Sequence, residues 1–156
     1  MFGSCLANSS IKAQNAYGWS VQFKKGSIQN FLVNYFGVFH LGTRIRNRIL
    51  ESILIKQNLS DKTLLDAGCG IGLASIYYAN TFKQITAVDL EKKKISQATA
   101  LARTNHIKNI KFYVVDLTKK QFTKKQFDRI ICFEVIEHVE DDIALLTSFS
   151  KMLKKT

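Results

Sequence analysis

The sequence predicts an α/β fold, a Rossmann-like parallel sheet with helices on both faces. Three observations point to it. From Lys62 onward, short apolar runs alternate with stretches of helical periodicity, the pattern that builds parallel sheets. The runs are nearly continuous in apolar residues, as strands buried on both faces require. The first run ends in a glycine-rich turn, GCGIG at 68–72, of the kind that leads from a strand into a helix beside a ligand.

In chain order, residues 1–42 are expected to form a loosely ordered lead-in or cap, its first part rich in Ser, Asn, Gln and Gly, and residues 43–156 the folded domain. Over 43–57, Ile45, Ile49, Ile53 and Leu54 recur at helical spacing with Arg44, Arg46, Arg48 and Lys56 opposite, which predicts an amphipathic helix. TLLDA (63–67) predicts the first strand and a helix over 73–81 follows it. QITAVDL (84–90) predicts the second strand, with a helix over 91–104, and KFYVVDL (111–117) the third. FDRIICFEV (127–135) predicts the fourth, and the helix over 141–154 carries Leu145, Phe149, Met152 and Leu153 on one stripe. The sequence closes at KMLKKT directly after that helix, whereas doubly wound sheets run on for further strands. The later strands are therefore expected to be missing, and the chain to be truncated at its C-terminal side.

At 156 residues and 46% apolar content, one core is expected rather than two. The net charge of +11, from 23 Lys and Arg against 12 Asp and Glu, suits an anionic partner such as nucleic acid. The excess is mostly Lys scattered among many Ile and Asn, however, so compositional bias is the favoured explanation. Cys5, Cys69 and Cys132 have no C-x-x-C partners, which argues against a disulfide framework and for a reducing, cytoplasmic setting. The opening MFGSCLANSS lacks the basic and apolar regions of a secretory signal. The apolar stretch FLVNYFGVFHL (31–41) is broken by Asn34 and Gly37 and falls short of the roughly 20 residues that cross a bilayer.

The chemistry concentrates in LLDAGCGIG (64–72). Gly68, Gly70 and Gly72 let the backbone turn tightly and approach a ligand closely, and the helix start offers unpaired N–H groups. A purely structural turn is the alternative. Asp89, closing the second strand in AVDL, sharpens the reading, because a carboxylate beside such a turn suits the paired hydroxyls of a ribose.

LLDAGCGIG, then VDL, VVDL and FEVIEHVED, resembles in order and spacing the sequential motifs of class I S-adenosylmethionine-dependent methyltransferases, of the subgroup with quinone and small-molecule O- and C-methylating enzymes. The resemblance covers roughly residues 43–154. Dinucleotide-binding dehydrogenases more often show G-x-G-x-x-G, without an acid where Asp66 stands. The resemblance implies that Asp66 and the backbone of Gly68, Gly70 and Gly72 hold the methionine end of S-adenosylmethionine, with Asp66 reaching its ammonium directly or through water. It implies that Asp89 accepts from both ribose hydroxyls and that Leu90 packs on the adenine. Asp116 would accept from the adenine amino group, the Leu117 N–H would meet a ring nitrogen, and the Phe133 carbonyl would face the ammonium. Turn capping stays open for Asp116, and plain core packing for Leu90 and Phe133.

The segment Glu134-Val135-Ile136-Glu137-His138 reads in more than one way. If helical, it would bring two carboxylates and an imidazole to one face. Similar segments in some methyltransferases bind a divalent metal, and in others without metal the residue matching His138 acts as a base or lines the pocket; a structural role with no metal is the favoured expectation. Cys69 and Cys132 are expected to pack, and His40 and His106 carry no assignment.

The implied reaction is displacement at the sulfonium methyl by a nucleophile of a small-molecule acceptor, for which the protein must chiefly align the two reactants and exclude water. A nicotinamide-dependent oxidoreductase and a truncated binding domain without turnover are the rival readings. Nucleic-acid methylation is not favoured: the N/D-P-P-Y/F segment of amine-methylating DNA enzymes cannot occur in a chain without proline. A sheet lacking its later strands would expose an edge, and self-association is expected through it.

Overall fold

The computed structural model describes residues 49–54, 57–119 and 126–155. The chain divides into two units, residues 1–57 and 58–156, and the sheet belongs to the second. The lead-in expected over 1–42, with Cys5 and His40, lies outside the described residues. Of the helix expected over 43–57, residues 49–54 are helical, and they correct its face. Leu50 and Leu54 are buried, while Ile49 and Ile53 are more than half exposed. Two leucines one turn apart make the inward row, and the isoleucines lie off it.

Four apolar runs pair into one sheet. Strands β1 (Thr63–Ala67), β2 (Gln84–Asp89), β3 (Ile110–Val114) and β4 (Arg129–Cys132) lie in the order β3-β2-β1-β4, all parallel, with Ala67 level with Val88 and Cys132, and Asp89 level with Val114. Parallel pairing brings the C-terminal ends of all four strands to one edge, where ligands of such sheets lie. Leu64, Leu65, Asp66 and Ala67 of central β1 are all buried. β3 departs from the fully buried expectation, since Tyr113 and Val114 are about half exposed; among the described residues it lies at an edge, with a neighbour on one side only.

Helices α1 (Leu73–Tyr77), α2 (Lys92–Thr104) and α3 (Asp142–Met152) complete the second unit. Val88 packs with Leu145, Phe149 and Met152 of α3, while its neighbour Ala87 packs with Ile95 of α2. Successive strand residues point to opposite faces, so α2 and α3 cover opposite faces of the sheet. Leu153, expected on the α3 stripe, caps the helix and is half buried. α1 ends before the expected Thr81, because the Ala79 and Thr81 N–H groups reach back three residues, to Ile76 and Tyr78 carbonyls, a tighter winding that closes the last turn. The third and fourth strands likewise end short, at Val114 and Cys132. Among the described residues no helix is long and apolar enough to cross a membrane.

The chain just before β4 is paired on its outer side. Phe127 bridges Leu153 in parallel, and the Met152 carbonyl accepts from Gln126 and Phe127 N–H at 2.8 and 3.2 Å. A clasp closes this end of the sheet, opposite the ligand edge. Asp128 Oδ2 accepts from the Thr63 N–H at 2.8 Å, the Thr63 hydroxyl at 2.7 Å and the Lys154 ammonium at 2.8 Å. Burial works to raise the Asp128 carboxyl, but the donors from Lys154 and Thr63 together hold it well below the usual carboxylate range.

A group depressed on folding stabilises above its unfolded value, near 4, and loses that contribution as pH falls toward its folded value. Asp128→Asn should therefore cost about 1.5–3 kcal/mol at neutral pH, the range for a hydrogen bond to a charged group, and flatten the loss of stability on acidification below about pH 4. Thermal unfolding from pH 2 to 7 reads both; equal slopes in variant and wild type would remove the clasp from the stability of the fold.

Candidate functional site

The turn after β1 is held by the end of β2. The Gly68 and Cys69 N–H groups both donate to the Val88 carbonyl at 2.8 Å, and the Gly70 N–H donates to Asp89 Oδ2 at 2.8 Å. The three glycines take φ of +77, +55 and +81, a region that side chains disfavour, yet their surroundings differ. A Cβ at Gly68 would overlap the Val135 side chain, and one at Gly72 would stand 2.9 Å from Ala98 Cβ. Among the described residues, a Cβ at Gly70 would meet nothing within 4 Å. Gly68 and Gly72 permit close packing; Gly70 has no described neighbour where its side chain would be.

Asp89 is buried, and its second oxygen accepts from the Glu91 N–H at 2.9 Å. An ionised carboxylate offers about four acceptor sites, so two hydrogen bonds leave capacity for further donors. Beside it Leu90 is 65% exposed, which sets aside the core-packing alternative. Asp116 lies beyond β3 and caps its own turn: Oδ1 accepts from the Thr118 N–H at 3.0 Å and hydroxyl at 2.6 Å, and Lys119 pairs with Oδ2 at 3.2 Å. The Thr118 hydrogen bonds, with Lys119, hold its carboxyl below the ordinary value. Leu117 is half buried against the α3-side core. Phe133 is also half buried, and its carbonyl lies 3.9 Å from the place of a Gly68 Cβ.

Asp66 is nearly fully buried, 3% exposed, on the face opposite its neighbours Leu65 and Ala67. Its Oδ2 accepts from the Ser75 hydroxyl of α1 at 2.6 Å. Burial pushes its carboxyl up to about 6, against the lowering effect of the Ser75 donors. Burial, with the charge of Asp66 next in order, raises the Cys69 thiol strongly and the Cys132 thiol to about 11, so both stay protonated. Cys69 is buried and Cys132 half buried. Sequence reasoning passed over Ser75, whose only signal is a small polar residue in an otherwise apolar helix.

The segment 134–138 is not a continuous helix. Glu134 takes φ +54, Val135 precedes a single 3-10 turn over Ile136–His138, and Glu134, Glu137 and His138 are all exposed. A positive φ breaks the helical spacing that would have stacked the three side chains. Among the described residues, no three His, Cys, Asp or Glu side chains converge as a metal site.

Residues 65–156 match the family model described as a methyltransferase domain. The chain is 36% identical over 121 residues to the ubiquinone biosynthesis O-methyltransferase of Rickettsia bellii (strain OSU 85-389), a match covering 76% of this chain and 50% of that relative; the chain thus spans about half the length of such curated relatives. Among solved structures, a SAM-dependent methyltransferase from Aquifex aeolicus superposes with a TM-score of 0.60 at 16% identity, over 69% of this chain and 57% of that one. The Haemonchus contortus phosphoethanolamine N-methyltransferase 1, in complex with phosphoethanolamine and S-adenosylhomocysteine, gives 0.61 at 17% identity, over 94% and 31%.

The contrast among the glycines has a measurable consequence. Gly70→Ala should cost only the left-handed backbone strain, about 1–2 kcal/mol, whereas Gly68→Ala adds a steric clash of about 1–3 kcal/mol more. Urea unfolding of both variants ranks them; a Gly70 variant less stable than the Gly68 variant would contradict the packing described.

Proposed function

Because the chain belongs to the class I S-adenosylmethionine-dependent methyltransferases, we propose that it binds S-adenosylmethionine across the C-terminal ends of its strands and directs methyl transfer to a small-molecule acceptor. The observation that carries the reading is the Asp89 carboxylate bound to the Gly70 N–H, with no other described residue within 4 Å of where a Gly70 side chain would be. That arrangement fits the cofactor: a tight turn without side-chain bulk beside an acceptor with spare capacity and an exposed apolar side chain at Leu90.

In this reading Asp89 accepts the ribose hydroxyls and Leu90 covers one face of the adenine. Asp116 accepts from the adenine amino group with the capacity its turn leaves free, and the Leu117 N–H meets a ring nitrogen. Gly68, Gly70 and Gly72 line the methionine end with backbone alone, while the Phe133 carbonyl and the Asp66 carboxylate face its ammonium. The bound sulfonium supplies an already activated methyl group. The chain's part is to hold donor and acceptor in line and to exclude water. In the same reading His138, exposed on the turn after β4, serves as the general base for an acceptor that must lose a proton.

A small-molecule acceptor is supported by the relatives' names, one an O-methyltransferase of ubiquinone biosynthesis and one a phosphoethanolamine N-methyltransferase. They differ in acceptor atom, so neither acceptor is carried over. The unpaired thiols accord with a cytoplasmic setting.

Calorimetric titration with S-adenosylmethionine tests the proposal. Asp89→Ala should weaken binding about 100-fold or more, since two hydrogen bonds to a charged acceptor are lost at roughly 1.5–3 kcal/mol each; an unchanged Kd would take Asp89 out of the site. His138→Ala should leave that Kd unchanged and lower kcat on an acidic hydroxyl acceptor by about 100-fold; an unaltered kcat would return His138 to the pocket wall.

A further inference from the structure

Two buried polar side chains face each other beneath the glycine turn. Ser75 is the buried residue of α1, fully enclosed, and its hydroxyl donates to Asp66 Oδ2 at 2.6 Å. The titratable groups that act on or around Asp66 are Asp89 at the end of β2, Cys69 in the turn and Cys132 on β4. None is a cation, and among the described residues the ion pairs lie elsewhere. A carboxylate taken out of water normally finds a positive partner or gives up its charge. Here the described residues supply one neutral partner, Ser75, and the turn directly above is the proposed place of the cofactor's ammonium group.

We propose that Ser75 is the positioning residue that keeps Asp66 available as an ionised acceptor for the cofactor's ammonium, so that cofactor affinity is coupled to the protonation of Asp66. The proposal rests on the cofactor reading above and adds to it a residue and a pH dependence. No bond is made or broken apart from one O–H: the proton leaves the Asp66 carboxyl for solvent as the cation arrives. Burial raises this carboxyl to about 6 in the free protein, and a neighbouring cation lowers it again. Affinity is then full above that value and falls about tenfold for each pH unit below it. Removing the hydroxyl takes away a hydrogen bond that favours the ionised form, so the break in the profile moves upward by about one unit.

The experiment is calorimetric titration of the full chain from pH 5 to 8 with two probes. S-adenosylhomocysteine carries the ammonium; 5′-methylthioadenosine keeps the adenosine that faces Asp89 and lacks the ammonium. Wild-type affinity for the first should weaken below about pH 6, and in Ser75→Ala the break should lie about one unit higher, the two proteins agreeing within about twofold at pH 8. Affinity for 5′-methylthioadenosine should follow no such curve. Wild-type titrations in buffers of different ionisation enthalpy should also show proton release on S-adenosylhomocysteine binding near pH 6, absent in Asp66→Asn, and this arm stands even if Ser75→Ala fails to fold. Identical breaks in wild type and Ser75→Ala, a matching curve for 5′-methylthioadenosine, or no proton release would each overturn the proposal and leave Ser75 a structural tie. Absence of binding by either probe at every pH would instead overturn the cofactor reading itself.

Discussion

The arrangement at the top of the sheet depends on one hydrogen bond, from the Gly70 N–H to the Asp89 carboxylate. It joins the turn after β1 to the end of β2, and with the Val88 carbonyl, which takes the Gly68 and Cys69 N–H groups, it fixes the path of the chain into α1. Helix α1 spans only Leu73–Tyr77, too short to hold its own position by helical propensity. Its place is set by the turn at one end and by Ser75 on Asp66 at its centre. The same carboxylate that braces the turn therefore stands where a ribose would be received, so fold and site share a component.

Two carboxylates at this edge are treated in opposite ways. Asp89 is given backbone donors from Gly70 and Glu91 and keeps acceptor capacity at the rim. Asp66 is enclosed, next to another acid, and raised to about 6. A group whose folded value is raised adds stability at low pH and withdraws it as pH rises through that value. Asp66 thus lowers the stability of the free protein at neutral pH, and a bound cation would offset that cost. Asp128, at the opposite end of the strands, has the reverse arrangement, with an ammonium and two Thr63 donors on one oxygen. The sheet is braced at its foot and strained by burial at its ligand edge, a common division between stability and function.

Much of this was legible in the sequence because apolar runs and glycines act locally. TLLDA predicts β1 to the residue, and the second strand and its helix fall within a residue of their observed ends. Burial was less legible, since it depends on strand order: KFYVVDL reads like its neighbours, but β3 lies at an edge with Tyr113 and Val114 in solvent. The helix face near residue 50 was misjudged for a related reason, as two leucine positions and an isoleucine row compete at the same spacing. The grouping of Glu134, Glu137 and His138 was conditional on helical backbone, and the positive φ at Glu134 shows that the condition is not met. Ser75 on Asp66, and the clasp joining Thr63, Asp128 and Lys154, depend on tertiary contacts that no local pattern announces; Thr63 and Asp128 stand 65 residues apart. The roles given to Asp116, Leu117 and Phe133 come from resemblance and family membership, and the turn that Asp116 caps was the alternative its residue type allowed.

The central claim is that a cofactor lies across the C-terminal ends of β1 to β4, over Gly70 and against Asp89. Backbone amide resonances of the isotopically labelled full chain, followed during addition of S-adenosylmethionine, test it most directly. The account predicts saturable shifts at Gly68, Gly70, Leu90 and Leu117, with Thr63, Asp128 and Lys154 at the far end of the sheet unmoved. Shifts confined to the far end, or no saturable change at the glycine turn, would contradict it.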